Sequence, residues 1–448
     1  MAYSEFWNPK NETLPREQLQ ALQLLKLRRL CEWAYATTPF HQRKFDAAGF
    51  KPEQLKTLDD LRRIPFMTRE EWMESLQEKP LFGDMLATDP RNAIRYHLTS
   101  GTTGRTPIRV LDSMKDWDWI NEMWCYGLWG FGIRPEDSVY FAFGYGSFIG
   151  FWGAHYACEK IGALVIPGGA QTTEARIKQI IEMGVTTVCS TPTYALHMWQ
   201  KAREMGIDLA QESKVNKVIL SGEPAGSIPA VKQQLEEAWG AKCGDTAGMT
   251  EVGTIMIFEC SHQPGGTHII EDHFIEEVLH PTSDKPVGYG ELGERVVTSF
   301  GRGFIPVLRY RTKDMVMKVP ASTCTCGRTW DIYSGGIRGR WDDMKLIRGT
   351  NVYPRAVEAI IREYPAIDEF QIYIWRKEDL IQDEITIKLE IKPGHEGEWT
   401  ELQHKLAKDL SNAHEGLRFN IERMDYGVLP HFELKARRLV DARPVAHY

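Results

Sequence analysis

From Val139 to about Thr250, short apolar runs alternate with amphipathic stretches, and this alternation constrains the fold more than any other feature of the chain. Val139–Phe143, Ala163–Pro167, Thr187–Cys189 and Lys217–Ser221 have the length and apolar content of buried strands. Glu174–Met183, Thr193–Met205 and Ala230–Trp239 repeat their apolar residues at helical spacing. Strands alternating with helices imply an α/β fold with a parallel, doubly wound sheet. Phe274–Leu279 and Gly293–Ser299 then suggest a smaller β-rich unit, and Leu14–Thr37 a helical N-terminal region.

The texture changes after Arg340. Val352–Arg362 reads as helix, Glu369–Trp375 and Glu384–Ile391 as strands, Trp399–Ala413 as helix and Phe419–Met424 as a strand. At 448 residues the chain is too long for one ordinary core. The reading is therefore a large domain over residues 1–341 and a small α+β domain over 342–448.

Several function classes are set aside by composition. Net charge is −7, so no basic field marks nucleic acid or an anionic membrane as a partner. Ser138–Cys158 contains no Asp, Glu, Lys or Arg, which raises the question of a membrane span. Its glycines and His155 favour a strand, a Gly-rich turn and a buried helix from about Phe151 instead. The opening residues lack the basic and apolar regions of a signal peptide. Cys31, Cys125, Cys158, Cys189, Cys243 and Cys260 are scattered singly, unlike a secreted disulfide framework. The expected location is cytoplasmic.

Chemistry-bearing motifs begin at Thr99-Ser-Gly-Thr-Thr-Gly-Arg105. Glycine lets backbone approach phosphate oxygens closely, and the hydroxyls add donors. It is not a Walker A loop, because Gly104 is followed by Arg105 rather than Lys. Asp245-Thr-Ala-Gly-Met-Thr-Glu251 offers two carboxylates around a glycine, a pattern suited to Mg²⁺ beside a triphosphate but equally to a capped helix. Arg309-Tyr-Arg-Thr-Lys-Asp314 and Gly339-Arg-Trp-Asp-Asp-Met-Lys-Leu-Ile-Arg-Gly349 follow, leading into Asn351-Val-Tyr-Pro-Arg-Ala-Val-Glu358.

In this order, together with Leu220-Ser-Gly-Glu-Pro224 and Phe143-Gly-Tyr-Gly146, these motifs resemble the adenylate-forming acyl-CoA synthetase superfamily, and within it the phenylacetate-CoA ligase branch. The resemblance runs from about Leu58 to Arg443. It implies an AMP-forming ligase that activates a carboxylic acid with ATP and passes the acyl group to CoA. It also implies roles. Ser100, Gly101, Thr102, Thr103 and Gly104 would cradle the ATP phosphates, and Gly222, Glu223 and Pro224 would line the adenine site. Glu251 would hold Mg²⁺, and Asp314 the ribose hydroxyls. Asp245, Thr246, Thr250 and Arg340 are grouped with the nucleotide, and Asp342 matches a hinge. Lys435 matches a mobile lysine that binds the α-phosphate and acyl oxygens during adenylation.

Two departures stand out. The branch usually has Tyr where this chain has Ala247, before Gly248, so the acid pocket is enlarged or lined differently. Its lysine is usually preceded by Gly, whereas here Leu434 precedes Lys435. Tyr145 and Phe148 are the expected substrate contacts, together with Ala247 and Gly248. An aromatic acid is the family default, and a small branched or hydroxylated acid is the alternative. Transfer to a carrier protein would share the first half-reaction, and a non-catalytic nucleotide-binding protein is the remaining class. A homodimer is also possible.

Cys324-Thr-Cys326-Gly, with Cys260 upstream and either His262 or His268, offers three thiolates and an imidazole. That set makes a closed, structural Zn²⁺ site. His268 is the preferred fourth ligand.

Overall fold

The computed structural model of the chain describes residues 3–99, 107–348, 350–376, 383–430 and 438–443. Its strands in chain order are β1 (Arg95–Leu98), β2 (Arg109–Asp112), β3 (Ser138–Phe141), β4 (Leu164–Pro167), β5 (Thr187–Ser190), β6 (Lys217–Ser221) and β7 (Lys242–Gly248). There follow β8 (Ile255–Phe258), β9 (Gly266–Ile269), β10 (Phe274–Leu279), β11 (Leu292–Ser299), β12 (Val307–Val319) and β13 (Ile332–Ser334). Beyond Arg340 lie β14 (Lys345–Ile347), β15 (Thr350–Val352), β16 (Ile367–Arg376), β17 (Asp383–Ile391), β18 (Asn420–Met424) and β19 (Leu439–Asp441).

The alternation after Val139 becomes five parallel strands, ordered β4-β3-β5-β6-β7. All four residues of β5 are buried, as are the central three of β6. Helices cover both faces of such a sheet, which is why these strands are continuous apolar runs. The β-rich unit does not stand apart. It continues the same sheet antiparallel from β7 through β8, β9, β13, β12 and β11 to β10, giving eleven strands. The three-residue β13 makes the join, pairing with β9 on one side and β12 on the other.

Helix boundaries follow local chemistry. Thr191 accepts a hydrogen bond from the Tyr194 N–H and Pro192 occupies the first turn of the helix Pro192–Glu204. The helix Met114–Phe131 opens on a Ser113/Asp116 capping box and closes at Gly132, whose φ is 104°. Among the described residues no helix is long and apolar enough to cross a membrane, and the uncharged Ser138–Cys158 forms β3, a turn and the helix Ile149–Ile161.

After Arg340 a four-stranded sheet, ordered β18-β17-β16-β19, packs under the helices Pro354–Ile361 and Trp399–Ala413. Its apolar core runs from Ile347 to Phe419 and draws on no residue of the large sheet. The expected helix Val352–Arg362 is corrected here. Val352 ends β15, and the helix begins at Pro354, because proline lacks the N–H that an interior position requires. The two sheets meet where the Gln200 side chain donates to Asp368 Oδ1 at 2.9 Å and Arg355 reaches Ser227.

Candidate active site and metal cluster

Ligand sites of open α/β sheets form outside the carboxyl ends of the strands, where strand order reverses. Here β3 is flanked by β4 and β5, so the reversal lies beside it. Three motifs leave carboxyl ends along this edge: Phe143–Gly146 after β3, Gly222–Pro224 after β6, and Gly248–Glu251 after β7. The sheet thus gathers at one rim segments that are a hundred residues apart in sequence.

The β6 turn needs glycine, since Gly222 has φ 90°. Beside it, Glu223 Oε2 accepts the Thr193 N–H at 3.1 Å. Thr246 donates its hydroxyl to Leu220 O at 3.0 Å and so ties the ends of β6 and β7 together. At Gly248 a Cβ would stand 2.6 Å from Thr254 O, so the irregular β7–β8 pairing admits only glycine.

Glu251 is buried, and its carboxylate receives the Arg69 guanidinium at 2.9 Å. The backbone of this turn is fixed from beneath. Arg302 donates to Thr250 O at 2.7 Å and Glu251 O at 3.3 Å while its Nε binds Asp112 at 2.7 Å. Neither Arg69 nor Arg302 belongs to a motif, and the sequence reading missed both. They act from 182 and 51 residues away, respectively, on a turn that names neither of them.

Asp314 lies on β12 with Arg340 Nη1 at 3.8 Å and Arg295 Nη1 at 4.0 Å. Burial pushes its carboxyl up to about 6, against the pull of those arginines. Arg340 also grips Asp342 through Nε and Nη2 at 2.9 and 3.0 Å. Lys313 bonds Glu70 at 2.7 Å and stands 3.8 Å from Asp342. Ion pairs therefore ring the point where the chain passes to the small sheet.

Asp245 is enclosed more tightly. A Cβ at Gly226 or Gly336 would come within 2.8 or 2.9 Å of its carboxylate oxygens. Burial, and then Glu259 beside it, push its carboxyl up to about 7, while Arg355 and Ser227 pull it down. Glu259 is itself paired with Lys232 at 2.6 Å.

Tyr145, Phe148 and Ala247 are partly buried against one apolar core. Tyr145 OH meets His155 Nδ1 at 2.9 Å, and its ring lies 4.7 Å from that of Trp152, whose indole N–H donates to Gly146 O. Lys435 and residues 100–104 lie outside the described residues, as does the Pro224 side chain.

The cysteine cluster assembles as the spacing suggested. The ligand atoms of Cys260, His268, Cys324 and Cys326 all lie within 4.8 Å of one another, and all four residues are buried. Cys260 Sγ is 3.6 Å from Cys324 Sγ, and Cys326 Sγ is 3.4 Å from His268 Nε2. A tetrahedron with Zn–S bonds of about 2.3 Å has edges of about 3.8 Å, so the donor set fits that ion in number, softness and size. His268 Nδ1 lies 3.2 Å from Trp330 O, which orients the ring in the manner of an outer-shell partner. His262 is excluded from the cluster and contacts Thr325 and Glu5 instead.

The small unit matches the AMP-binding enzyme C-terminal domain family over residues 349–443. The phenylacetate-coenzyme A ligase of Thermus thermophilus is 35% identical over 387 residues, covering 86% of this chain and 84% of that protein. A 2-hydroxyisobutyryl-CoA ligase in the postadenylation state, bound to 2-HIB-AMP, superposes with a TM-score of 0.92 at 29% identity, covering 98% of this chain and 93% of that one. The same ligase with 2-HIB-AMP and CoA in the thioesterification state, at 30% identity and the same coverage, gives only 0.74. Full-length likeness in sequence and fold leads to one conclusion: the chain belongs to the phenylacetate-CoA ligase branch of the adenylate-forming acyl-CoA synthetases, and it is an AMP-forming acid:CoA ligase.

Proposed function

We propose that the enzyme activates an aromatic acid of the phenylacetate or benzoate type. In the first step a carboxylate oxygen attacks the α-phosphorus of ATP, and pyrophosphate leaves. In the second, the CoA thiol attacks the acyl carbon, and AMP departs with the oxygen it gained. The supporting observation is the packing of Tyr145 against Trp152, with Phe148 and Ala247 partly buried on the same apolar core. The Thermus thermophilus relative, a phenylacetate-coenzyme A ligase, points the same way.

A second reading rests on the Tyr145–His155 pair, which puts a polar hydrogen-bonding edge on that packing. Such an edge suits a small hydroxylated acid, and the structural neighbour is a 2-hydroxyisobutyryl-CoA ligase. A panel of aryl, branched aliphatic and hydroxy acids, scored by pyrophosphate release with ATP, decides between them. A preference for aryl acids supports the first reading, and a preference for hydroxy acids the second.

In this account Ser100–Gly104, Thr246 and Thr250 surround the phosphates, and Gly222–Pro224 with Asp245 receives the base. Asp314 accepts from the ribose, with Arg340 beside it. Glu251 would hold Mg²⁺, which neutralises phosphate charge when bound. In this structure the Glu251 carboxylate is paired with the Arg69 guanidinium instead. Zn²⁺ at the cysteine cluster would be structural, because four protein ligands leave no open position. The chain divides into domains 1–341 and 342–448, hinged at Asp342, with Lys435 entering the site from the small domain. The small domain as seen here is docked for adenylation, a reading supported by the better superposition on a postadenylation state than on a thioesterification state. The enzyme works in the cytoplasm.

A further inference from the structure

Arg355 stands in an unusual place for a residue of the small domain. It follows Pro354 at the start of the helix Pro354–Ile361, yet it is directed away from that domain's own core. Its Nη2 reaches Ser227 Oγ at 2.5 Å, on the turn after β6 that also bounds Asp245. Burial lowers the guanidinium to about 10, while the charges of Asp245, Glu358 and, more distantly, Asp314 oppose that shift. It remains a cation at neutral pH.

The carboxylate it faces has few other supports. Gly226, Ser227 and Gly336 form the walls around Asp245. Of the charged groups near it, Glu259 repels it, and Lys232, paired with Glu259 at 2.6 Å, favours its charged form less than Arg355 does. Among the described residues Arg355 is the larger cationic influence on Asp245, ahead of Lys232, and it comes from the part of the chain joined through the Asp342 segment.

We propose that Arg355 is a positioning residue that couples nucleotide binding to docking of the small domain: with the domain docked, its guanidinium and Ser227 hold the Asp245 carboxylate charged and oriented, and rotation of the domain withdraws it. This rests on the reading above that Asp245 belongs to the nucleotide site and that the docked pose serves adenylation. It adds a consequence: the nucleotide site is strongest while ATP is being used and weakens once the domain turns for thiolysis. A site whose charge balance depends on a mobile element biases that element's equilibrium, and the coupling is reciprocal.

Arg355→Ala, Arg355→Lys and Ser227→Ala test this, with Asp245→Asn as a second background. Wild-type pyrophosphate release with the preferred acid is measured first, because its absence would sink the ligase reading itself rather than this inference. Arg355→Ala should lower kcat/KM for ATP in adenylation by about 5- to 150-fold, the range of ordinary coupling, and leave thioester formation from supplied acyl-adenylate within about twofold. Arg355→Lys should recover part of the loss, because it restores charge without the two-pronged reach. The acidic limb of the pH profile of kcat/KM for ATP should move upward in Arg355→Ala, since Asp245 then ionises at higher pH, and should not move in the Asp245→Asn background. Three results would each overturn the proposal: an equal fall in both half-reactions, an unmoved limb, or an ATP KM that decreases. The last would make Arg355 a plug of the nucleotide site rather than its support.

Discussion

Asp245 and Asp314 carry the site's titration at neutral pH. Both are pushed above the 3.8 of a free aspartate, to about 7 and about 6, chiefly by burial. In the proposed role as acceptors for a nucleotide they must be ionised, so kcat/KM for ATP should fall as pH drops through 7 and again through 6. Stability should run the other way. A raised carboxyl holds its proton more tightly in the folded state, so these two groups contribute stability below pH 4 that is lost as pH rises through 6 and 7. Chemical denaturation and steady-state kinetics over pH 5–8 should therefore show opposite slopes. Parallel slopes would mean that other groups dominate. Ala247 belongs to the same scale. Filling its space with Ala247→Tyr should shift the ratio of kcat/KM between aryl and small acids more than tenfold, given that a single pocket methylene is worth roughly 1–3 kcal/mol. The KM for ATP should change little. A defect confined to ATP would place residue 247 against the base.

Among the elements, strand order carries the candidate site; the sequence named four of the five parallel strands but not their order. Apolar runs such as Lys217–Ser221 announce buried parallel strands because nothing else buries both faces. Lys242–Gly248 gave no such signal, since Gly244, Asp245 and Thr246 interrupt it, yet it is the strand that presents Asp245 and Ala247. Nor did β13, whose three residues join the two halves of the sheet, because a strand so short has no period to read. The metal cluster was legible for the opposite reason: Cys324, Cys326 and a Gly form a local signature, and only the choice between His262 and His268 needed the fold. That cluster links the segment after β8 (Cys260), β9 (His268) and the loop between β12 and β13 (Cys324 and Cys326). Cys324→Ser/Cys326→Ser should reduce zinc from about one per chain to near zero and lower Tm by several degrees, because structural zinc contributes folding free energy. Activity at low temperature should survive. Equal metal content in variant and wild type would reject the site.

At the scale of the whole molecule, the proposed mechanism divides the chemistry between a large sheet that holds the reactants and a small unit that visits them. Arg69 and Arg302 escaped the sequence reading because each acts on a carboxylate or carbonyl far away in the chain, and an arginine outside a motif resembles any surface cation; Arg355 lies within the Asn351–Glu358 stretch but received no role there. Lys435 was assigned by resemblance alone, and the role proposed for it is specific to one half-reaction. Lys435→Ala should therefore reduce acyl-adenylate formation by at least about a hundredfold, a loss on the scale of one electrostatic contact to the transition state. Thioester formation from supplied acyl-adenylate should stay near wild type. Equal loss in both would contradict a swinging small domain.

The central claim, acid activation through an acyl-adenylate, is tested most directly by following the carboxylate oxygens. With the acid labelled in both carboxyl oxygens by ¹⁸O, and with ATP and CoA unlabelled, attack on the α-phosphorus must leave one labelled oxygen on AMP and none on pyrophosphate. Mass spectrometry of the products reads this in a single turnover. One ¹⁸O in AMP, matched mole for mole by acyl-CoA, is the result the account predicts. Label in orthophosphate with formation of ADP, or unlabelled AMP, would contradict it.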